Sequence, residues 1–298
     1  MRIFVTGASG WIGSAVVPEL LAAGHQVVGL ARSEESAERL RAAGAEPLSG
    51  SLDDLDSLRA GAKDSDGVVH LAFNHDFSDY SGAGRVEHEA VRALGDVLVG
   101  SDRPLLVAAG LVGLATGRPA TEEDRSPFTG ADAPRGGSEN LALSYAEHGV
   151  RPVAVRFGAS VHGDRDHGFV ATLVDIARRR GAAGYIGDGA NRWPAVHRSD
   201  AARLVALALE EAPAGSVVHA VGEEGVATRA IAEAIGERFE LPAVSVAPED
   251  AAEQFGWLGG FYGVDAPSSS ALTQERLGWV PTGPGLLEDI AAGAYDPH

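Results

Sequence analysis

The sequence predicts an α/β fold: a doubly wound parallel sheet with a smaller, interleaved C-terminal lobe. Three observations carry this. Through the first half of the chain, short apolar runs alternate with stretches of helical periodicity, the pattern of repeated strand–helix units. A glycine-rich turn, Gly7-Ala8-Ser9-Gly10-Trp11-Ile12-Gly13, stands between the first apolar run and the first helical stretch. After Phe157 the alternation gives way to loops, helices and isolated short strands.

Taken in order, strands are expected at 2–6, 26–31, 67–71, 104–108 and 152–157, with a weaker one near 46–48. Their Val, Leu, Ala and Phe content without strict alternation suits strands buried on both faces. Helical periodicity marks 11–23, 34–43, 53–62, 87–99 and 139–148. Beyond 157, a loop at 158–168 leads to a helix at 169–180, and a second loop at 181–194 to a helix at 199–211. A strand at 217–220 and helices at 228–239, 248–255 and 270–277 complete the pattern. The first lobe is expected to span 1–160, completed by 197–222. The second falls within 161–298.

Composition limits what such a chain can do. Its 298 residues, 45% hydrophobic and 22% charged, can bury one large core or one core with an appended lobe. It has no cysteine, which removes disulfides, thiolate metal sites and thiol nucleophiles and fits a reducing compartment. Lys and Arg number 24 against 42 Asp and Glu, giving a net charge of −18. A surface of that sign repels nucleic acid and anionic lipid. No apolar run approaches the roughly 20 residues of a membrane span, and Met1 leads straight into a strand. The expectation is a cytoplasmic protein, monomer or homodimer, that takes a small-molecule substrate and neither nucleic acid nor membrane.

The glycine turn is the strongest single signal, because it follows a strand and opens a helix. Gly7 permits the tight turn, Gly10 lets backbone approach a pyrophosphate at the helix N-terminus, and Gly13 lets the helix pack close. This is the dinucleotide site of a Rossmann-type sheet, with Ser9, Trp11 and Ile12 on its rim. An NAD site usually carries Asp or Glu at the end of the second strand. Here Ala31-Arg32-Ser33 stands instead. A guanidinium and a hydroxyl can bind a 2′-phosphate that a carboxylate would repel, so the expected cofactor is NADP(H).

Thr6-Gly7-Ala8-Ser9-Gly10-Trp11-Ile12-Gly13, Gly50-Ser51-Leu52-Asp53, His70-Leu71-Ala72 and Val196-His197-Arg198-Ser199-Asp200 together resemble the extended short-chain dehydrogenase/reductase superfamily, and within it the NAD-dependent epimerase/dehydratase family. The tail from Ser270 to Pro281 resembles that family's C-terminal end, so the resemblance spans the chain. It implies that Asp53 lies near the adenine and that Leu71 and Ala72 line the nicotinamide side. It also implies a catalytic YxxxK pair, and here the pattern breaks. Aligned on the strand ending at Phe157, Ala131 takes the tyrosine position and Arg135 the lysine position. The strand where a catalytic serine belongs ends Ala108-Ala109-Gly110. Lys63 is the sole lysine, and none of the five tyrosines is followed by lysine four residues on. Arg135 cannot donate a proton at neutral pH, and alignment gives it no tyrosine to activate.

Candidates for the missing acid lie on loops beyond the strand ends, where ligands of open α/β sheets bind. His75, Asp76 and Tyr80 follow the strand at 67–71. His162, Asp164 and His167 follow the strand at 152–157. A His near pH 7 is the simplest proton donor, so His75 and His162 rank ahead of Tyr80, with water as a rival. Asp76, Asp164, His167, Trp193 and His197 are candidate substrate contacts, Trp193 as an apolar wall or as domain packing. Consecutive loop residues rarely converge on one ion, and Arg165 adds an opposing charge, so no metal is expected. The cluster Phe255, Trp257, Phe261 and Tyr262 reads either as lobe core or as a pocket lid. The leading functional expectation is an NADPH-dependent reductase acting on an apolar carbonyl or conjugated small molecule. A non-redox dehydratase, epimerase or cyclase, and a non-enzymatic NADP(H) sensor, remain alternatives.

Overall fold

The computed structural model describes residues 1–74 and 79–297. The chain opens with β1 (Arg2–Thr6), α1 (Gly13–Ala22), β2 (Gln26–Ala31), α2 (Glu34–Ala42) and β3 (Glu46–Ser49). It continues through α3 (Leu55–Lys63), β4 (Gly67–His70), α4 (Tyr80–Leu98), β5 (Pro104–Gly110), α5 (Ser138–Ser144) and β6 (Arg151–Phe157). Then follow β7 (Ser160–His162), α6 (Phe169–Arg180), β8 (Ala183–Ile186), β9 (Arg192–His197), α7 (Arg198–Glu211) and β10 (Ser216–Ala220). The last stretch holds β11 (Glu223–Ala227), α8 (Thr228–Phe239), β12 (Ala243–Val246), α9 (Ala251–Phe255), α10 (Gly259–Tyr262), α11 (Ala271–Leu277) and α12 (Leu286–Ala292).

Seven of these strands form one parallel sheet in the order β10-β6-β5-β4-β1-β2-β3. The order reverses direction between β1 and β4, which opens a crevice at their C-terminal ends. One face buries Val5, Val16, Leu20, Val155 and Leu204 beneath α1 and α7. The other buries Phe4, Val68, Leu94, Leu105 and Ala142 beneath α4 and α5. The second lobe has its own core, including Trp193, Ile231, Phe255, Tyr262 and Ile290. It is built on a three-stranded sheet, β11-β9-β7, and the pair β12-β8.

Three departures from the sequence expectation matter. Helix α4 starts at Tyr80 and not near 87, because the Asp79 carboxylate caps it by accepting the Gly82 N–H at 2.9 Å. Gly82 and Gly84 weaken the helical signal of that first turn. The expected loop at 181–194 contains β8, whose few residues lie among Gly181, Gly184 and Gly187, and the start of β9, which carries Pro194. Helix α12, seven residues long, follows the turn-like run Gly283-Pro284-Gly285 and is invisible to periodicity.

A buried polar network ties the far edge of the sheet together. Arg156, at the end of β6, donates to the Glu139 carboxylate on α5 at 2.5 and 3.0 Å. It also donates to the Asp124 carbonyl at 2.8 Å, and its Nη1 lies 3.2 Å from His219 Nε2 on β10. His219 Nδ1 lies 2.7 Å from the Ser269 carbonyl. Nδ1 must therefore donate and Nε2 accept, the neutral tautomer. Burial pushes the His219 imidazole down to about 4.

Candidate active site

The glycine turn has the shape that a dinucleotide needs. Gly7 has φ +68°, and a Cβ there would stand 2.7 Å from the Ala72 nitrogen. A Cβ at Gly13 would stand 2.1 Å from the Gly7 carbonyl oxygen. Only glycine fits either position, so the start of α1 sits directly on the turn and its N-terminal N–H groups are available to an anion. Gly10 closes the turn by donating to the Gly7 carbonyl at 2.9 Å. Ser9 and Ile12 are half-buried beside it. The backbone of Leu71 and Ala72 crosses close by: Leu71 N–H reaches the Thr6 carbonyl at 3.2 Å and Ala72 N–H the Thr6 Oγ1 at 3.3 Å.

Trp11 is largely committed to the protein. Its indole N–H donates to the Val161 carbonyl at 2.6 Å, and its ring lies between His167 and the guanidinium of Arg198, 4.2 Å from the ring centroid. Arg198 also donates to Ser14 Oγ at 2.5 Å, at the head of α1. Its Nε is buried with no partner among the described residues. In the sequence Arg198 stands within the motif Val196-His197-Arg198-Ser199-Asp200, which by itself assigns it no role. Its cation beside the glycine turn is visible only once β9 and α7 are folded back onto α1.

At the end of β2, Arg32 is exposed and has no ion-pair partner among the described residues. Ser33 instead caps α2, accepting the Ser36 N–H at 3.2 Å. The two carboxylates that follow are occupied, Glu34 by Arg41 at 2.6 Å and Glu35 by Arg39 at 3.2 Å. Asp53 is exposed on the turn before α3.

The opposite side of the crevice holds a charged cluster that no motif announces. Arg135, Gly136 and Gly137 are consecutive left-handed residues, with φ 51°, 60° and 57°. For arginine this conformation costs about 1–2 kcal/mol. The turn is pressed onto α4 at Gly84, where a Cβ would stand 2.8 Å from the Gly136 nitrogen. Arg135 thereby reaches Glu87 of α4 with two hydrogen bonds, at 2.7 and 3.2 Å. Its guanidinium also lies 4.4 Å from the centroid of the Phe73 ring. Phe73 in turn meets Tyr80 edge-on, with ring centroids 5.9 Å apart.

The electrostatics follow from this packing. Burial pushes the Tyr80 phenol upward, Arg135 pulls it down, and Glu87 pushes it up again. Burial also raises Glu87, against the pull of Arg135. Beneath them, His70 is fully buried with Nδ1 2.8 Å from Thr6 Oγ1. Burial and then the Arg135 charge drive it down to about 3, so it is neutral. Alignment puts Ala131 where Arg135 would need a tyrosine, but the fold links Arg135 through Phe73 to one on α4, Tyr80.

The other candidates fall elsewhere. His75 and Asp76 lie outside the described residues. His162 is completely buried, its Nδ1 2.6 Å from the Asp289 carboxylate of α12. Its ring meets His197, whose Nδ1 lies 2.7 Å from Ser199 Oγ at the start of α7. Asp164 and His167 are exposed on the loop before α6. Trp193 is not a pocket wall. It is 1% exposed and packs among Phe169, Phe261 and Tyr262, because β9 turns it into the lobe core. Phe255 and Tyr262 belong to the same core, whereas Trp257 is half-exposed against Phe169.

Several known proteins are similar to this chain. Residues 7–120 match the NAD(P)H-binding family. An uncharacterized protein of Schizosaccharomyces pombe is 49% identical over 99% of this chain and 100% of its own. The chain belongs to the extended short-chain dehydrogenase/reductase superfamily. A ketoreductase of Stigmatella aurantiaca that acts on a farnesylated dihydroquinoline oxide is 31% identical, covering 73% of this chain and 67% of its own. The dTDP-glucose 4,6-dehydratase DesIV of Streptomyces venezuelae, solved with NAD, shares the fold at TM-score 0.78 and 19% identity, over 99% of this chain and 96% of that one. The cofactor is accordingly a nicotinamide nucleotide. Among the described residues no helix is long and apolar enough to cross a membrane.

Proposed function

We propose that the protein is an NADPH-dependent reductase of carbonyl compounds in which Tyr80 supplies the proton. The observation that carries this reading is the Tyr80–Phe73–Arg135–Glu87 cluster, which begins one residue beyond the Leu71-Ala72 backbone that crosses the glycine turn. The bound nicotinamide supplies the hydride. The glycine turn and Arg198 would hold its pyrophosphate, and Arg32 would hold its 2′-phosphate. As the carbonyl oxygen gains negative charge, the Tyr80 hydroxyl gives it a proton, leaving an alcohol and a phenolate. Solvent then reprotonates the phenolate, whose ring is 38% exposed. The ketoreductase relative supports a carbonyl on an apolar, ring-containing substrate. His162 is set aside as donor because it is enclosed and engaged with Asp289.

Two measurements test the reading. Titrating the protein with NADPH and NADH should give tighter binding of NADPH. Arg32→Ala should weaken NADPH by roughly 10- to 100-fold, the loss of one charge-assisted contact, and leave NADH nearly unchanged. Equal affinities in the parent protein would remove the NADPH assignment. Oxidation of NADPH in the presence of a panel of apolar ketones and quinone-like carbonyls tests the reductase itself; no oxidation with any of them would turn the assignment towards non-redox chemistry.

A further inference from the structure

Arginine is a poor choice for a left-handed turn that glycine would occupy freely. Gly136 and Gly137 are glycine at the next two positions, yet Arg135 is not. What the backbone gains from arginine there must come through its side chain. That side chain makes a two-bonded pair with Glu87 and covers Phe73. Glu87 lies seven residues after Tyr80 on α4, two helical turns along the same face. Gly84 lies between them on that face and admits the turn: a Cβ at Gly136 would stand 2.0 Å from the Gly84 carbonyl oxygen. Tyr80, Gly84 and Glu87 therefore form one stripe, and the strained turn lies across it.

We propose that Arg135 and Glu87 are a positioning pair that sets the acidity of Tyr80, taking over by a different route the work of the superfamily's lysine. The proposal rests on Tyr80 being the proton donor. Arg135 stabilises the phenolate left when the proton departs. Glu87 fixes the guanidinium and neutralises it while the phenol is intact, so the Arg135–Glu87 pair carries no net charge. Among the described residues, the other titratable groups near the pair are neutral or engaged elsewhere, and the Glu139 charge acts on Arg135 in the same sense as Glu87. His70 is neutral beneath it, Glu139 is bound to Arg156, and Asp79 caps the first turn of α4. Asp132 is paired with Arg85 at the surface.

The test reads Tyr80 directly and needs no substrate. The full-length protein with bound NADPH is labelled with difluorotyrosine, whose phenol is more acidic than that of tyrosine, and followed by fluorine NMR against pH. Tyr80→Phe identifies the resonance. Arg135→Gln should raise the Tyr80 titration by about one pH unit or more, the usual effect of losing a neighbouring opposite charge. Glu87→Gln should lower it. Arg135→Lys, which keeps the charge, should stay close to the parent. Opposite shifts cannot come from loosened packing, which would move both variants the same way. Shifts of one sign, or no shift in a folded Arg135→Gln variant, would overturn the proposal. The donor assignment is read separately by turnover of Tyr80→Phe. If that variant loses turnover while the titrations do not move, Tyr80 remains the donor and the pair is only structural. If Tyr80→Phe keeps full turnover, both the donor assignment and the proposal built on it fall.

Discussion

Two arginine–glutamate pairs face the same layer of the molecule and do different work. Arg156–Glu139 sits on a regular strand and a regular helix, with side chains 1% and 8% exposed. Its remaining hydrogen bonds go to the carbonyl of half-buried Asp124 and to the fully buried His219. Arg135–Glu87 sits on a left-handed turn, with the arginine 27% exposed and facing a tyrosine and a phenylalanine at the crevice. The first pair closes a network and is held by unstrained backbone. The second accepts strain to present a cation where the sheet order reverses. Strain of this kind persists where surrounding structure enforces it, and it clusters at working sites. The contrast separates a pair that holds the fold from the pair we propose to serve the chemistry.

The largest effect should fall on the enclosed pair. Glu139→Gln leaves the Arg156 charge buried without its counter-ion and should cost about 3–5 kcal/mol in denaturant unfolding. A loss well under 1 kcal/mol would show that the network is not load-sharing. Two buried histidines, His219 of this network and His70 of β4, should make stability pH-dependent. His219 is held near 4 and His70 near 3 in the folded protein, against an ordinary 6.5. Between about pH 6.5 and 4 the unfolded chain binds protons at these histidines that the folded chain refuses. Stability should therefore fall as pH drops through that window, by about 1.4 kcal/mol per unit for each histidine. His219→Asn should flatten the slope, and an unchanged slope would move its origin elsewhere. The smallest effect should come from Glu87→Gln, at about 1 kcal/mol, because the half-sheltered Arg135 can turn to water. If its cost matched that of Glu139→Gln, the distinction between the pairs would collapse.

The two regions were also unequally legible. Strand–helix alternation and the glycine turn carried the parallel sheet and the nucleotide cradle, because those features depend on local spacing and on steric need at Gly7 and Gly13. The lobe strand β8 has little strand signal because it is short and glycine-flanked, β9 because Pro194 interrupts it, and α12 because it is brief and follows Pro and Gly. Trp193 was open between pocket wall and core; which side of a strand faces the core is decided by pairing partners far away in sequence. The charged cluster was the least visible. Tyr80 was named, but Arg135 could be read only as a misplaced lysine. The link between them depends on a left-handed turn and on the approach at Gly84, and neither has a periodic signature. Two glycines after an arginine, Arg135-Gly136-Gly137, were the one available cue.

Single-turnover oxidation of bound NADPH by a reducible ketone, compared between the parent, Tyr80→Phe and His162→Gln, tests the central claim most directly. With cofactor affinity unchanged, Tyr80→Phe should slow the hydride-transfer step by about 100-fold or more, the usual contribution of a positioned acid. His162→Gln should remain within a few-fold of the parent. A Tyr80→Phe rate equal to that of the parent, or a loss confined to His162→Gln, would contradict the assignment of Tyr80 as the proton donor.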